Sequence, residues 1–207
     1  MSPLDEAQWL MIAGTCLVAA MSPGPSTVVI LNYSISDNKR SGIICALSHG
    51  FAIGLYSLIA VFGLSSALQA SPIASDLIQF IGLAFLMALS IKLLTNKPAG
   101  QLNNISKMRN SHWSAARDGF LVVWINPKVL FFFVAIFSQF IQQATPIQDR
   151  VAIVLMVAVI DALWYLLLGL VISHLDLAER LQTRIWIVDR VLGALLLLIC
   201  VNYFYSF

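Results

Sequence analysis

The chain has 207 residues, of which 59% are hydrophobic and only 11% are charged, whereas about a quarter of the residues in a soluble domain carry charge. The apolar residues form segments of about 20, the length that a helix needs to cross a bilayer core about 30 Å thick. This composition excludes a soluble globular domain and predicts a membrane protein with several crossings, and the net charge of +2 gives no reason to expect nucleic acid as a partner.

Six apolar segments predict six transmembrane helices. They run roughly over Ala7–Tyr33, Ser41–Gln69, Asp76–Leu94, Arg117–Gln142, Arg150–Ser173 and Trp186–Tyr205. Asp5 and Glu6 precede the first segment, and no basic residue occurs before Lys39. Because a secretory signal peptide begins with positive charge, we expect the first segment to remain in the mature protein.

Basic residues lie almost entirely on one side of these spans. Ten of the 12 Lys and Arg residues fall in or beside the connections between helices 1 and 2, 3 and 4, and 5 and 6, whereas Arg150 falls on the other side and Lys128 lies in the membrane. The side with more basic residues is cytoplasmic, so both termini are predicted to lie outside. A five-crossing alternative would place one segment on the membrane surface and spoil this asymmetry.

Two of the predicted helices contain a break near the middle. The break in helix 1 consists of Ser22, Pro23, Gly24, Pro25 and Ser26, and the break in helix 4 consists of Asn126, Pro127 and Lys128. A proline inside a helix removes a backbone donor, and in hydrocarbon such a defect is tolerated only against protein or a wet cavity. The breaks therefore predict a transport site, with a plain kink as the alternative for helix 1.

The broken ends also suggest what the site binds. A half-helix that begins near Ser26 would present free N–H groups and the positive end of its dipole, which suits a carboxylate. Asn126 has both donor and acceptor groups and is predicted to act similarly at the other break.

The two breaks occupy equivalent places in two halves of the chain. Pro23 and Pro127 each lie in the first of three crossings, and the basic segment 95–116 separates a first repeat (1–94) from a second (117–207). An odd number of crossings makes the second half enter the bilayer from the opposite face, as in many secondary transporters. The predicted fold is an all-α membrane protein with six transmembrane helices, a 3+3 inverted repeat and broken helices 1 and 4.

Lys128 lies too deep in an apolar segment to reach the interface comfortably. A charged group at this depth costs about 2.5–3.5 kcal/mol on insertion scales, so it should face the protein interior or water. We expect it to attract a carboxylate or to exchange a proton. The alternative is a structural lysine that binds the carbonyl groups freed by Pro127.

Asp161 is the second charge inside the membrane, and Tyr165 shares its helix face one turn later. Asp161 is predicted to be the electrostatic complement of Lys128, and to serve as a counter-charge for a substrate ammonium or as a proton carrier. The alternative is a neutral carboxyl or a static ion pair. His49 is interpreted as a hydrogen-bonded packing residue rather than a proton relay.

Small residues recur every four positions in helix 2, at Gly42, Ala46, Gly50 and Gly54, and helix 5 has Ala158 and Ala162 at one-turn spacing. Such stripes allow two helices to approach closely. We interpret them as packing surfaces rather than as substrate contacts.

Motifs for chemistry are missing from the sequence. It has no Gly-rich phosphate loop, no metal-ligand cluster and no credible Ser/His/Asp set, and Cys16, Cys45 and Cys200 form no CxxC pair. The chain is therefore predicted not to be an enzyme and to need neither a metal nor another cofactor.

The paired motifs resemble those of a known family. Met21-Ser22-Pro23-Gly24-Pro25 in helix 1 and the segment 126–133, Asn-Pro-Lys-Val-Leu-Phe-Phe-Phe, in helix 4 are similar to the LysE/RhtB family of bacterial amino-acid exporters. The likeness extends over nearly the whole chain and includes the basic central loop and Asp161. Val129 stands where an alanine is common in the family, which is a small departure.

This resemblance implies a carrier in the bacterial inner (cytoplasmic) membrane that exports amino acids or close derivatives by proton antiport. Its expected partners are an amino acid, a proton and the lipid bilayer, and homo-oligomer formation is left open. The resemblance also implies that Pro23, Gly24, Pro25, Asn126, Pro127, Lys128 and Asp161 line the pathway, to which the residues themselves add Ser22, Ser26 and Tyr165. The substrate is not specified, although one acid and one base in the membrane favour a zwitterion.

Two other functions compete with export. A passive channel or membrane scaffold would show no dependence on a proton gradient. A membrane thiol redox protein would need paired cysteines, which the sequence does not offer.

Overall fold

The computed structural model describes residues 4–22, 24–36, 39–70, 72–95, 111–141, 145–171, 186–187 and 189–201. Within these ranges the chain is helical and forms no strand. In chain order the helices are α1 (Glu6–Met21), α2 (Pro25–Ser36), α3 (Lys39–Ala70), α4 (Pro72–Thr95), α5 (His112–Ile125), α6 (Pro127–Phe140), α7 (Ile147–Val171) and α8 (189–201). The expectation of an all-helical protein is confirmed for this part of the chain.

Three helices are by themselves long and apolar enough to cross a membrane, over Lys39–Gly63, Asp76–Thr95 and Ile147–Leu170. The pairs α1–α2 and α5–α6 bring the number of candidate spans to at most five in the described part of the chain. The described length of α8 falls short of the roughly 20 residues that a crossing needs. The six-helix 3+3 arrangement therefore stays a prediction.

The first and fourth predicted spans are each two helices joined at a bend of 57°. α1 begins with a capping box between Asp5 and Gln8 and ends at Ser22, whose backbone is extended. α6 begins with Asn126 as its N-cap, followed by Pro127 at the first helical position, where a proline costs no hydrogen bond. The local sequence thus accounts for the end of α1 and the start of α6, which border the two breaks.

One face of α7 is apolar and exposed, whereas the opposite face is buried. The exposed side chains recur about once per turn and are those of Val151, Leu155, Val159, Leu163 and Leu167. Asp161 and Tyr165 lie on the buried face. Exposed apolar stripes of this kind suit contact with lipid, while polar residues face the bundle interior.

α3 lies at the centre of the bundle and packs most extensively on α7 and α5. A Cβ at Gly50 would lie 2.6 Å from the Cβ of Ala162, and one at Gly54 would lie 3.2 Å from the Cβ of Ala158. The small-residue stripes predicted as packing surfaces therefore face each other, and they allow α3 and α7 to approach closely.

We expect Gly50→Ala to destabilise the protein, because the new methyl group would overlap Ala162 and force the two helices apart. Overpacking of this kind costs about 1–3 kcal/mol. Thermal unfolding in detergent measures the effect, with Gly63→Ala on the same helix as the control, since a Cβ there meets no atom of the described residues within 4 Å. Equal midpoints for the two variants would contradict this packing argument.

Candidate functional site

The two helix breaks border one cavity of about 70 Å³. About 10–15 Å³ is enough to hold a water molecule, so the cavity can hold several waters or a small polar molecule. The predicted site residues that line it are Ser22, Gly24, Ser26, Asn126, Lys128, Asp161 and Tyr165. The structure thus brings together residues that are up to 143 positions apart in the sequence.

Two of the predicted prolines mark the starts of helices. Pro25 and Pro127 are the first residues of α2 and α6, where they set the direction of each half-helix. Pro23 lies outside the described residues, as does the side chain of Pro127.

Lys128 takes part in a buried chain of hydrogen bonds. Its Nζ donates to Ser22 Oγ at 2.7 Å, and Ser22 Oγ donates to Asp189 Oδ1 at 3.0 Å. Ser22 and Asp189 are both buried. The serine hydroxyl therefore connects an ammonium to a carboxylate, and this chain links both breaks to the start of α8.

Asp161 contacts a different residue from the one expected. We predicted that it would be the electrostatic complement of Lys128, but its Oδ2 lies 2.7 Å from Nδ1 of His49 on α3. Asp189 is the carboxylate linked to Lys128. The physical reason is the position of α3, which packs against α7 and places the buried imidazole directly beside Asp161.

Asn126 caps the helix that follows it, α6. Its side-chain oxygen accepts from the backbone N–H of Lys128 at 3.1 Å, so it caps α6 in addition to lining the cavity. Tyr165 packs edge-on against His49, with ring centroids 4.6 Å apart. These contacts fix the polar groups around the cavity.

The rest of the cavity wall is apolar. Phe132 and Phe133 from α6 and Val157 from α7 contribute to it, as does Cys16 from α1. Phe133 stacks on Phe137 at a centroid distance of 5.2 Å, which holds the ring in place. A site with a few charged groups and an apolar wall suits a small molecule that has both kinds of surface.

Asp189 was not predicted as a site residue, and His49, interpreted as a hydrogen-bonded packing residue, also lines the cavity. Asp189 lies between Trp186 and Arg190, a combination typical of a membrane interface, so we did not expect a link to Lys128. His49 lies among the small residues of α3, which indicated packing. A buried acid in the last apolar segment was the available signal for Asp189.

The described residues contain no group of three His, Cys, Asp or Glu side chains that could hold a metal ion. Cys16, Cys45 and Cys200 are free and buried.

Comparison with known proteins identifies the family. The model of the LysE type translocator family matches residues 17–206. The chain is 24% identical over 198 residues to "Uncharacterized membrane protein YahN" of Escherichia coli (strain K12), which covers 95% of this chain and 87% of that protein. It is 20% identical over 138 residues to the "Leucine efflux protein" of Salmonella typhimurium (strain LT2), covering 67% of this chain and 65% of that protein. The leucine efflux protein of Salmonella typhi matches to the same extent.

No solved structure matches the chain. The family match extends over nearly the whole chain and includes both helix breaks, Lys128 and Asp161. Together with the apolar helices, it makes the protein a multi-pass membrane transporter. The chain belongs to the LysE type translocator family.

Proposed function

We propose that this protein exports neutral amino acids or close derivatives across the bacterial inner membrane by proton antiport, with both termini outside. The observation that supports this proposal is the cavity that borders both helix breaks and is lined by both Lys128 and Asp161. An α-amino acid carries a carboxylate and an ammonium on the same carbon, and this cavity offers a charge of the opposite sign for each.

The substrate carboxylate binds at Lys128 in this proposal. The ammonium of Lys128 donates to a neutral hydroxyl, that of Ser22, and a carboxylate is a stronger acceptor for it. The start of α2 adds to the attraction, because Gly24 and Ser26 line the cavity and the N-terminal end of a helix favours negative charge.

The substrate ammonium binds at Asp161, whose carboxylate is buried and lines the same cavity. The apolar wall formed by Phe132, Phe133 and Val157 then receives the substrate side chain. An apolar wall gives no partner to a charged side chain, and a buried charge without a partner is costly. The leucine efflux relatives support the same choice of a neutral, apolar amino acid.

The two breaks also support alternating access. Each broken pair bends by 57°, and we propose that α1–α2 and α5–α6 are equivalent elements of inverted repeats formed by residues 1–94 and 117–207. In transporters of this kind the substrate lies between the repeats, and one repeat moves against the other. The glycine and alanine contacts between α3 and α7 provide a smooth surface for such movement.

Counterflow in proteoliposomes tests the function. Vesicles loaded with one unlabelled amino acid at a time are diluted into a trace of the labelled form. A carrier exchanges the two and accumulates label transiently, and we expect this for leucine and other neutral amino acids but not for lysine. A channel or scaffold gives no transient accumulation, so its absence for every amino acid would overturn the proposal. A cysteine-free variant that retains exchange would eliminate the thiol redox alternative.

A further inference from the structure

His49 is almost fully enclosed, with 1% of its surface exposed, yet it lines the cavity. Its Nδ1 lies 2.7 Å from Asp161 Oδ2. Its Nε2 has no hydrogen-bond partner among the described residues. A buried polar atom without a partner is costly, and such an atom needs an explanation.

The protons of this pair can be assigned from its chemistry. When Asp161 is ionised, its carboxylate only accepts hydrogen bonds, and Nδ1 then donates to it. In a neutral imidazole the other nitrogen then carries a lone pair and no proton. The lone pair of Nε2 can therefore accept a proton, and the His49 side chain lines the cavity.

Other ionisable groups near this pair are already engaged or are weak proton acceptors. Lys128 from α6 donates to Ser22, and Tyr165 from α7 and the thiol of Cys16 from α1 complete the ionisable groups of the described cavity lining. Asp118 on α5 accepts from Tyr33 of α2 and from Arg117. On α4, Asp76 and Lys92 are exposed.

We propose that the His49–Asp161 pair is the coupling site of the transporter, at which a proton and the substrate ammonium exclude each other. This inference rests on the proposed export of amino acids. When Nε2 binds a proton, the imidazolium neutralises Asp161 and the pair has no net charge with which to hold an ammonium. When the proton leaves, the pair has a charge of −1 and binds the ammonium. One proton therefore replaces one substrate ammonium, as antiport requires.

The variant His49→Gln separates coupling from exchange. The glutamine amide can still donate to Asp161, but it cannot take up a proton. We expect accumulation of leucine driven by an imposed pH gradient to fall at least tenfold relative to leucine counterflow measured in the same vesicles, because counterflow exchanges two amino acids and needs no proton. His112→Gln, at the exposed start of α5, is the matched control and should keep both activities.

Undiminished pH-driven accumulation in His49→Gln would overturn the coupling role, even though export itself would stand. Loss of all exchange in the wild type would instead overturn the proposed function. If His49→Gln does not fold, the binding of leucine to the purified wild-type protein decides the question. The affinity should fall as the pH is lowered, because the protonated pair has no net charge with which to hold the ammonium. An affinity that does not depend on pH while leucine keeps its own charges would contradict the proposal.

Discussion

Lys128→Ala is expected to reduce leucine counterflow at least about 30-fold while the protein still inserts into the membrane. Lys128 is the one Lys or Arg among the described cavity-lining residues, and truncation of a buried hydrogen-bonded charge costs about 2–5 kcal/mol, where 1.4 kcal/mol is tenfold in binding. Exchange rates in proteoliposomes, normalised to the amount of folded protein, measure the loss. Lys39→Ala, at the exposed start of α3, removes the same charge away from the cavity and should have little effect.

Lys128→Ala would also impair the protein if Lys128 had only a structural role. Its removal leaves the buried carboxylate of Asp189 without the ammonium that Ser22 links to it. The double variant Lys128→Ala with Asp189→Asn removes that unpaired charge. In our account it is folded, as judged by a single symmetric peak in size-exclusion chromatography, but it does not exchange leucine. Recovery of exchange in the double variant would show that Lys128 only stabilises the broken helix.

Asp161→Asn is expected to weaken leucine binding about 10- to 100-fold, because a hydrogen bond to a charged group contributes about 1.5–3 kcal/mol. The amide oxygen can still accept from His49, so the contact between α3 and α7 is kept. Equilibrium binding of labelled leucine to the purified protein measures the change. The matched control is Asp76→Asn on α4, where the carboxylate is exposed. Wild-type affinity in Asp161→Asn would remove this residue from the binding site.

The sequence was sufficient to predict that the two breaks belong to one site. Prolines in the middle of long apolar segments cannot be satisfied by lipid, and a lysine beside one of them has to face protein or water. These constraints are local, and they predicted a transport site at the breaks; in the structure Ser22, Asn126 and Lys128 line one cavity. Asp161 was predicted to join them on the same grounds.

The partners of these residues were not predictable from local constraints. Which acid lies near Lys128 depends on how α8 packs against the end of α1, and Asp189 is 61 positions from Lys128 in the sequence. In the same way, His49 meets Asp161 only because the glycines of α3 allow α7 to approach. Helix periodicity gives the buried face of each helix, but it does not determine which faces meet.

We propose that the cavity between the two breaks binds a neutral amino acid by both of its charges. An experimental structure of the wild-type protein with bound L-leucine tests this directly. We expect the leucine carboxylate within about 3 Å of Lys128 Nζ and the ammonium within the same distance of an Asp161 oxygen, with the side chain against Phe132 and Phe133. Leucine bound elsewhere, or in the cavity without contact to either Lys128 or Asp161, would contradict it.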